Sequence, residues 1–99
     1  MSKVILQISY EIDPQKRSDY LALAKEMRQH FGGERKKNYT VFEVRGRKNS
    51  FVEQFACSST EEYEALEDDM TESSEKLVER LAAFLKEGKA RYTTLIEAE

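Results

Sequence analysis

Val4, Leu6, Ile8, Tyr10 and Ile12 occupy alternate positions near the start of the chain, with Gln7, Ser9 and Glu11 between them. A period of two over that length predicts a strand with one strongly apolar face. Asp13-Pro14 ends it, and the same pair starts something else, since Asp is a favoured N-cap and Pro a favoured first helical residue. From there Tyr20, Leu23, Ala24, Met27 and Phe31 recur at helical spacing. Gly32-Gly33 closes the run in the manner of a C-cap. A chain that changes period from two to 3.6 across one Asp-Pro step is a mixed α and β chain from its first thirty residues.

The rest continues the alternation. Tyr39 to Arg45 is rich in β-branched and aromatic residues and reads as a second strand. Gly46 to Asn49 supplies the Gly and Asn that a hairpin loop needs, and Ser50 to Cys57 returns as a third strand antiparallel to the second. Ser59 and Glu62 have capping-box spacing ahead of a helical stretch through Tyr63, Leu66 and Met70. Thr71 to Ser74 is a plausible break. Leu77, Val78, Leu81, Phe84 and Leu85 carry a second stretch that Gly88 closes, and residues 90–98 alternate as a last strand.

The order strand, helix, strand, strand, helix, strand is the split βαβ, or ferredoxin-like, arrangement. It implies an α+β fold with a four-stranded antiparallel sheet and the helices on one face. With no repeat, linker or low-complexity tract, residues 1–99 form a single domain. One face of the sheet is then left without helices, yet apolar residues fall on both parities. Phe42 and Val44 oppose Tyr39 and Val41, Phe51 and Phe55 oppose Val52 and Ala56, and Tyr92 and Ile96 oppose Leu95. An uncovered apolar face of that extent marks an interface, and two-fold pairing with a second copy is the simplest cover.

Composition removes several function classes. The net charge is -3 and the pI about 5.3, the wrong sign for a nucleic-acid binder. Basic residues gather in 25–48 and acidic ones in 61–75, which reads as two solvated faces. Cys57 is the only cysteine, so no internal disulfide forms and a reducing compartment is indicated. One thiol and one histidine cannot make a structural zinc site. No segment reads as a signal peptide or a membrane span, so a cytoplasmic protein is expected, with no membrane partner.

Candidate site residues are few. Glu53 lies between Phe51 and Phe55 on one strand face, where a raised pKa would suit a general base and where a cross-dimer ion pair is the plainer alternative. His30, in the last turn of helix one, reads either as a general base or metal ligand or, more plainly, as a cap at the helix dipole or a surface residue. Tyr10, Tyr39, Tyr63 and Tyr92, with Phe51 and Phe55, would line an aromatic pocket or simply pack. RNA-recognition domains share this element order and stack bases on sheet aromatics, but Phe55 falls on the wrong face for that and Ile5 stands where an aromatic would stack.

The element order, the Asp-Pro start of helix one with Tyr20 six residues beyond Pro14, and Val52-Glu53-x-Phe55 leading into Ser59-x-x-x-Tyr63-Glu64-Ala65-Leu66 together resemble the dimeric α+β barrel proteins. The branch they are most similar to is the antibiotic-biosynthesis-monooxygenase-like domains. The resemblance implies a homodimer whose sheets curve into a barrel, with a pocket in each protomer between sheet and helices and a small, apolar or aromatic ligand in it. It implies no cofactor and no metal, and an activity, where there is one, of the cofactor-independent monooxygenase type. The alternative is a non-catalytic structural or protein-interaction module. Leu66 stands where active members of that branch often carry a His. The Asn on strand one and the Trp of the haem-degrading members are absent.

Overall fold

The computed structural model describes residues 3–34, 37–68 and 70–98. The chain runs β1 (Val4–Ile12), a 3-10 turn (Pro14–Lys16), α1 (Arg17–Met27), a π-helical turn (Arg28–Glu34), β2 (Tyr39–Glu43), β3 (Ser50–Cys57), α2 (Thr60–Asp68), α3 (Glu72–Ala82) and β4 (Leu85–Ile96). The four strands form one antiparallel sheet in the order β2-β3-β1-β4. This is the ferredoxin-like α+β fold that the order of elements implies.

Local chemistry explains most boundaries. The Asp13 carboxylate accepts the Gln15 N–H at 2.9 Å, so the Asp-Pro step caps the helix as its residue types require. In the β2–β3 loop Gly46 and Asn49 both take left-handed backbone angles, with φ of 84° and 70°. Asn49 is tied down there. Its N–H donates to Glu43 Oε2 and its side-chain oxygen accepts from Arg17, both at 2.9 Å. Arg17 grips Glu43 through two further hydrogen bonds of 2.7 and 2.8 Å, fastening α1 to the hairpin.

Four boundaries depart from the sequence reading. Gly32 and Gly33 are not a left-handed C-cap, since neither has positive φ; they belong to the π-helical turn that ends helix one. Strand two stops at Glu43, two residues before Arg45, because Val44 donates to the Ser50 carbonyl and begins the turn. Phe84 and Leu85 are not helical. Helix three ends at Ala82, the Phe84 carbonyl accepts from Asp13, and Leu85 pairs with Ile12. Gly88 therefore closes no helix. With φ of 66°, beside Glu87 at 61°, it forms an irregularity in β4 where the pairing with β1 shifts register between Tyr10 and Ile12. The helical break is also placed a little earlier, with Thr71 as N-cap of α3, its hydroxyl accepting from Ser74 N–H at 3.1 Å.

The core sits between α1 and the β1–β3 end of the sheet. Ile12, Tyr20, Leu23, Ala24 and Met27 are buried, with Tyr10 and Phe51 against them. Burying each large apolar side chain there contributes about 1.5–3 kcal/mol. Cross-strand partners share a face, so the register also describes the opposite, helix-free side. It carries four rungs: Ala56–Ile5–Leu95, Thr40–Gln54–Gln7–Thr93, Phe42–Val52–Ser9–Arg91 and Ser50–Glu11. The first and third rungs hold the apolar side chains, and the second, between them, is polar, with Gln7 bonded to Gln54 at 3.3 Å. Phe42 and Leu95 are nearly half exposed on it. No helix among the described residues is long and apolar enough to cross a membrane.

Candidate functional site

The helices do not cover the inner sheet face evenly. Helix one lies over the end where Tyr10 pairs with Phe51, whereas towards Leu6, Ile8 and Phe55 the sheet and the α2–α3 pair stand apart. The gap is a cavity of about 600 Å³. Leu6, Ile8, Phe55 and Tyr92 form its sheet wall, Met27 and Phe31 one end, and Leu66, Met70, Val78 and Leu81 the helical wall. Its polar side chains are Glu53, Ser74, Lys37 and the Tyr92 hydroxyl. That size and balance suit a small-molecule site, which is usually apolar with a few placed polar groups.

Glu53 stands out among them. It is buried at 4% exposure, on the row of Phe51 and Phe55 where alternation places it. The Tyr39 hydroxyl donates to its Oε1 at 2.6 Å, while Oε2 is buried without a hydrogen-bond partner among the described residues. Burial pushes the carboxyl above its ordinary range, and the Tyr39 and Tyr10 hydroxyls oppose that only in part. The Tyr39 ring is held by Phe31 and Phe55, with centroids 5.1 and 4.7 Å away. Burial, and then the neighbouring carboxylate, raise the Tyr39 hydroxyl well above the ordinary tyrosine range, so it stays protonated and remains a donor. Tyr10 is raised for the same two reasons and shares a 2.7 Å hydrogen bond with Tyr20 beneath the site.

His30 lies outside the cavity wall but next to it. It is buried in the π-helical turn, with Nε2 2.6 Å from Ser74 Oγ, and its ring meets Phe31 edge-on. Ser74 Oγ also bonds Thr71 Oγ1 at 3.0 Å. Neither the surface position nor the plain helix cap expected for His30 describes this. It ties helix one to the start of α3.

The structure thus brings Glu53, Phe55 and Tyr92 to one cavity. It leaves Tyr10 and Phe51 in the core below, and sets Tyr63 apart, its hydroxyl on Thr94 at 2.8 Å. Cys57 is buried, and desolvation raises its thiol pKa, with Glu62 adding to the rise and Lys37 opposing it, so it is a poor nucleophile. Ser74 and Lys37 were not foreseen as site residues. A serine in the first turn of a helix reads as a cap, and a lysine in a charged stretch as solvated surface. Among the described residues no group of three or more His, Cys, Asp or Glu is placed to hold a metal.

A four-stranded antiparallel sheet with helices on one side and a pocket between the layers defines a two-layer, ferredoxin-like α+β domain. No protein-family model matches the sequence. No curated protein matches it significantly either. Solved structures do match over nearly the whole chain. They include SnoaB, a cofactor-independent oxygenase from Streptomyces nogalater, with TM-score 0.75, 9% identity, and 98% and 94% of the two chains covered. A structure named antibiotic biosynthesis monooxygenase superposes with TM-score 0.69 at 21% identity, covering 100% of this chain and 98% of the other. A NIPSNAP family protein from Agrobacterium tumefaciens gives TM-score 0.76 at 13% identity, with 98% and 94% covered. The fold is that of the antibiotic-biosynthesis-monooxygenase-like α+β barrel proteins.

Proposed function

We propose that this chain is a small-molecule-binding domain, taking an apolar or aromatic ligand between sheet and helices, and that two copies associate through their helix-free sheet faces. The observation that carries the reading is the 600 Å³ cavity with its apolar walls and one buried, half-satisfied carboxylate. A purely structural module would gain from filling such a space, since each missing contact weakens the core. Association is supported by the two rungs that carry apolar side chains, where Phe42 and Leu95 meet solvent in the lone chain. The polar rung between them gives a second copy amide and hydroxyl partners. If the domain is catalytic, the fold favours an oxidation without cofactor, and Glu53 is the group in the cavity best placed to move a proton.

Native mass spectrometry with light scattering tests both halves together. The expected particle is two chains of 11.5 kDa each, binding one naphthalene-sized probe per chain. Val78→Trp, at the exposed edge of the cavity, should abolish probe binding and leave the dimer intact. Lone subunits that take up no probe would contradict the reading.

A further inference from the structure

We infer, on the small-molecule reading above, that the cavity takes its ligand one way round: an apolar or aromatic acid whose anionic group meets the Lys37 ammonium while its body runs across the sheet towards Tyr92.

Burial separates the polar side chains on the cavity wall. Glu53 and Ser74 are 4% and 1% exposed. Glu53 Oε1 accepts from Tyr39, and Ser74 Oγ is engaged by His30 and Thr71. Lys37 is half-buried and Tyr92 exposed, so these two have surface to offer a bound molecule. They stand at opposite edges of the sheet. The strand order is β2-β3-β1-β4, Lys37 leads into β2, and Tyr92 lies on β4. Three inter-strand steps of about 4.8 Å set those edges roughly 14 Å apart, with Phe55, Leu6 and Ile8 between them.

The Lys37 end is held in place and positively charged. Its N–H donates to the Phe31 carbonyl at 2.7 Å and its carbonyl accepts from the Tyr39 N–H at 3.0 Å, so the side chain starts from fixed backbone beside Phe31. Its charge is felt along that rim. The Ser58 hydroxyl and N–H hold the Glu62 carboxyl below the ordinary range, and Lys37 adds to them. Burial and then Glu62 raise the Cys57 thiol, and Lys37 opposes the rise. Glu62 is committed to Ser58 through hydrogen bonds of 2.6 and 2.8 Å. An ammonium carries three donor hydrogens, so Lys37 can take a ligand's carboxylate beside the neighbours it already has. Its stem covers apolar surface while the head stays at the wet margin, where an ion pair partly out of water outweighs one on open surface. Among the described residues Lys37 is the only cation on the cavity wall. Val78 and Met70, both partly exposed, offer hydrocarbon to the rest of the ligand.

Three probes of nearly one shape read the charge: 2-naphthoate, 2-naphthamide and 2-naphthylmethylammonium, titrated by calorimetry at neutral pH and low salt. Naphthoate should bind about 3- to 10-fold tighter than the amide, the range of one ion pair partly out of water, and the ammonium should bind weakest. High salt should shrink the preference. Lys37→Gln should bring naphthoate down to the level of the amide and leave amide binding unchanged, whereas Lys37→Arg should keep the preference. Nuclear Overhauser contacts in the wild-type complex should place the carboxyl-bearing ring by Phe31 and Phe55 and the far ring by Ile8 and Tyr92. Naphthoate binding no tighter than the amide, or a preference that survives Lys37→Gln, would overturn the inference and leave the cavity reading in place. Contacts in the reverse order would do the same. Failure of all three probes to bind would overturn both.

Discussion

Tyr39 and Glu53 sit on neighbouring strands one step out of register, and the 2.6 Å hydrogen bond between them runs diagonally across the sheet. Tyr39 pairs with Phe55 and Glu53 with Val41, so the tyrosine reaches the carboxyl from the flank. Tyr39→Phe removes the donor and leaves both carboxyl oxygens without it. The expected loss is about 1–3 kcal/mol, the cost of stranding a buried polar group, measured by urea unfolding. The titration of Glu53 should move further up in the same variant.

Glu53 also imposes a pH dependence on the fold. Its folded pKa is raised above the ordinary 4.5, so the folded chain binds this proton more tightly than the unfolded one. The stabilisation from this group is complete below 4.5 and is lost as pH rises through the folded value. Glu53→Gln should flatten that decline, most visibly in denaturant midpoints compared from pH 5 to pH 9.

Glu43 acts in the opposite sense. The Arg17 guanidinium, followed by the Asn49 N–H, holds its carboxyl down to about 2. Stability from this pair is present above 4.5 and is lost as pH falls towards 2. Glu43→Gln should lower stability by a small amount at every pH above 4.5, since both side chains are about one-third exposed, and flatten the decline between 4.5 and 2.

Much of this was legible in the residues, and the remainder fails for identifiable reasons. Asp13-Pro14 marks a helix start by its own chemistry, and β3 spans Ser50–Cys57 as its alternation implies. Leu77, Leu81, Phe84 and Leu85 keep helical spacing past the true end of α3, and only the pairing of Leu85 with Ile12 reveals the strand. Tertiary contact overrides period there. Within the site, alternation places Glu53 on the inner face beside Phe51 and Phe55. It cannot tell how far along the strands helix one reaches. That reach buries Tyr10 and Phe51 and leaves Phe55 at the cavity.

The His30–Ser74 bond fastens the π-helical turn to α3. His30→Ala leaves a buried hydroxyl with only Thr71 as partner and should cost about 1–3 kcal/mol. Amide exchange should speed up first in the opening turn of α3, ahead of the β1–β3 core. Uniform acceleration across the domain would mean the contact does not act locally.

On the helix-free face, Val52 lies beside Phe42 in one rung. Val52→Glu puts a charge at the proposed contact between copies and should convert dimer to monomer in light scattering. A dimer that persists would place the contact elsewhere.

Methyl NMR during a titration with 1-tetralone reports on the cavity most directly. The methyls of Leu6, Ile8, Leu66, Val78 and Leu81, which line it, should shift together and saturate, and the response should vanish in Val78→Trp. Unmoved cavity methyls, or shifts confined to Ile5, Val52 and Leu95 on the other side of the sheet, would contradict a ligand site between sheet and helices.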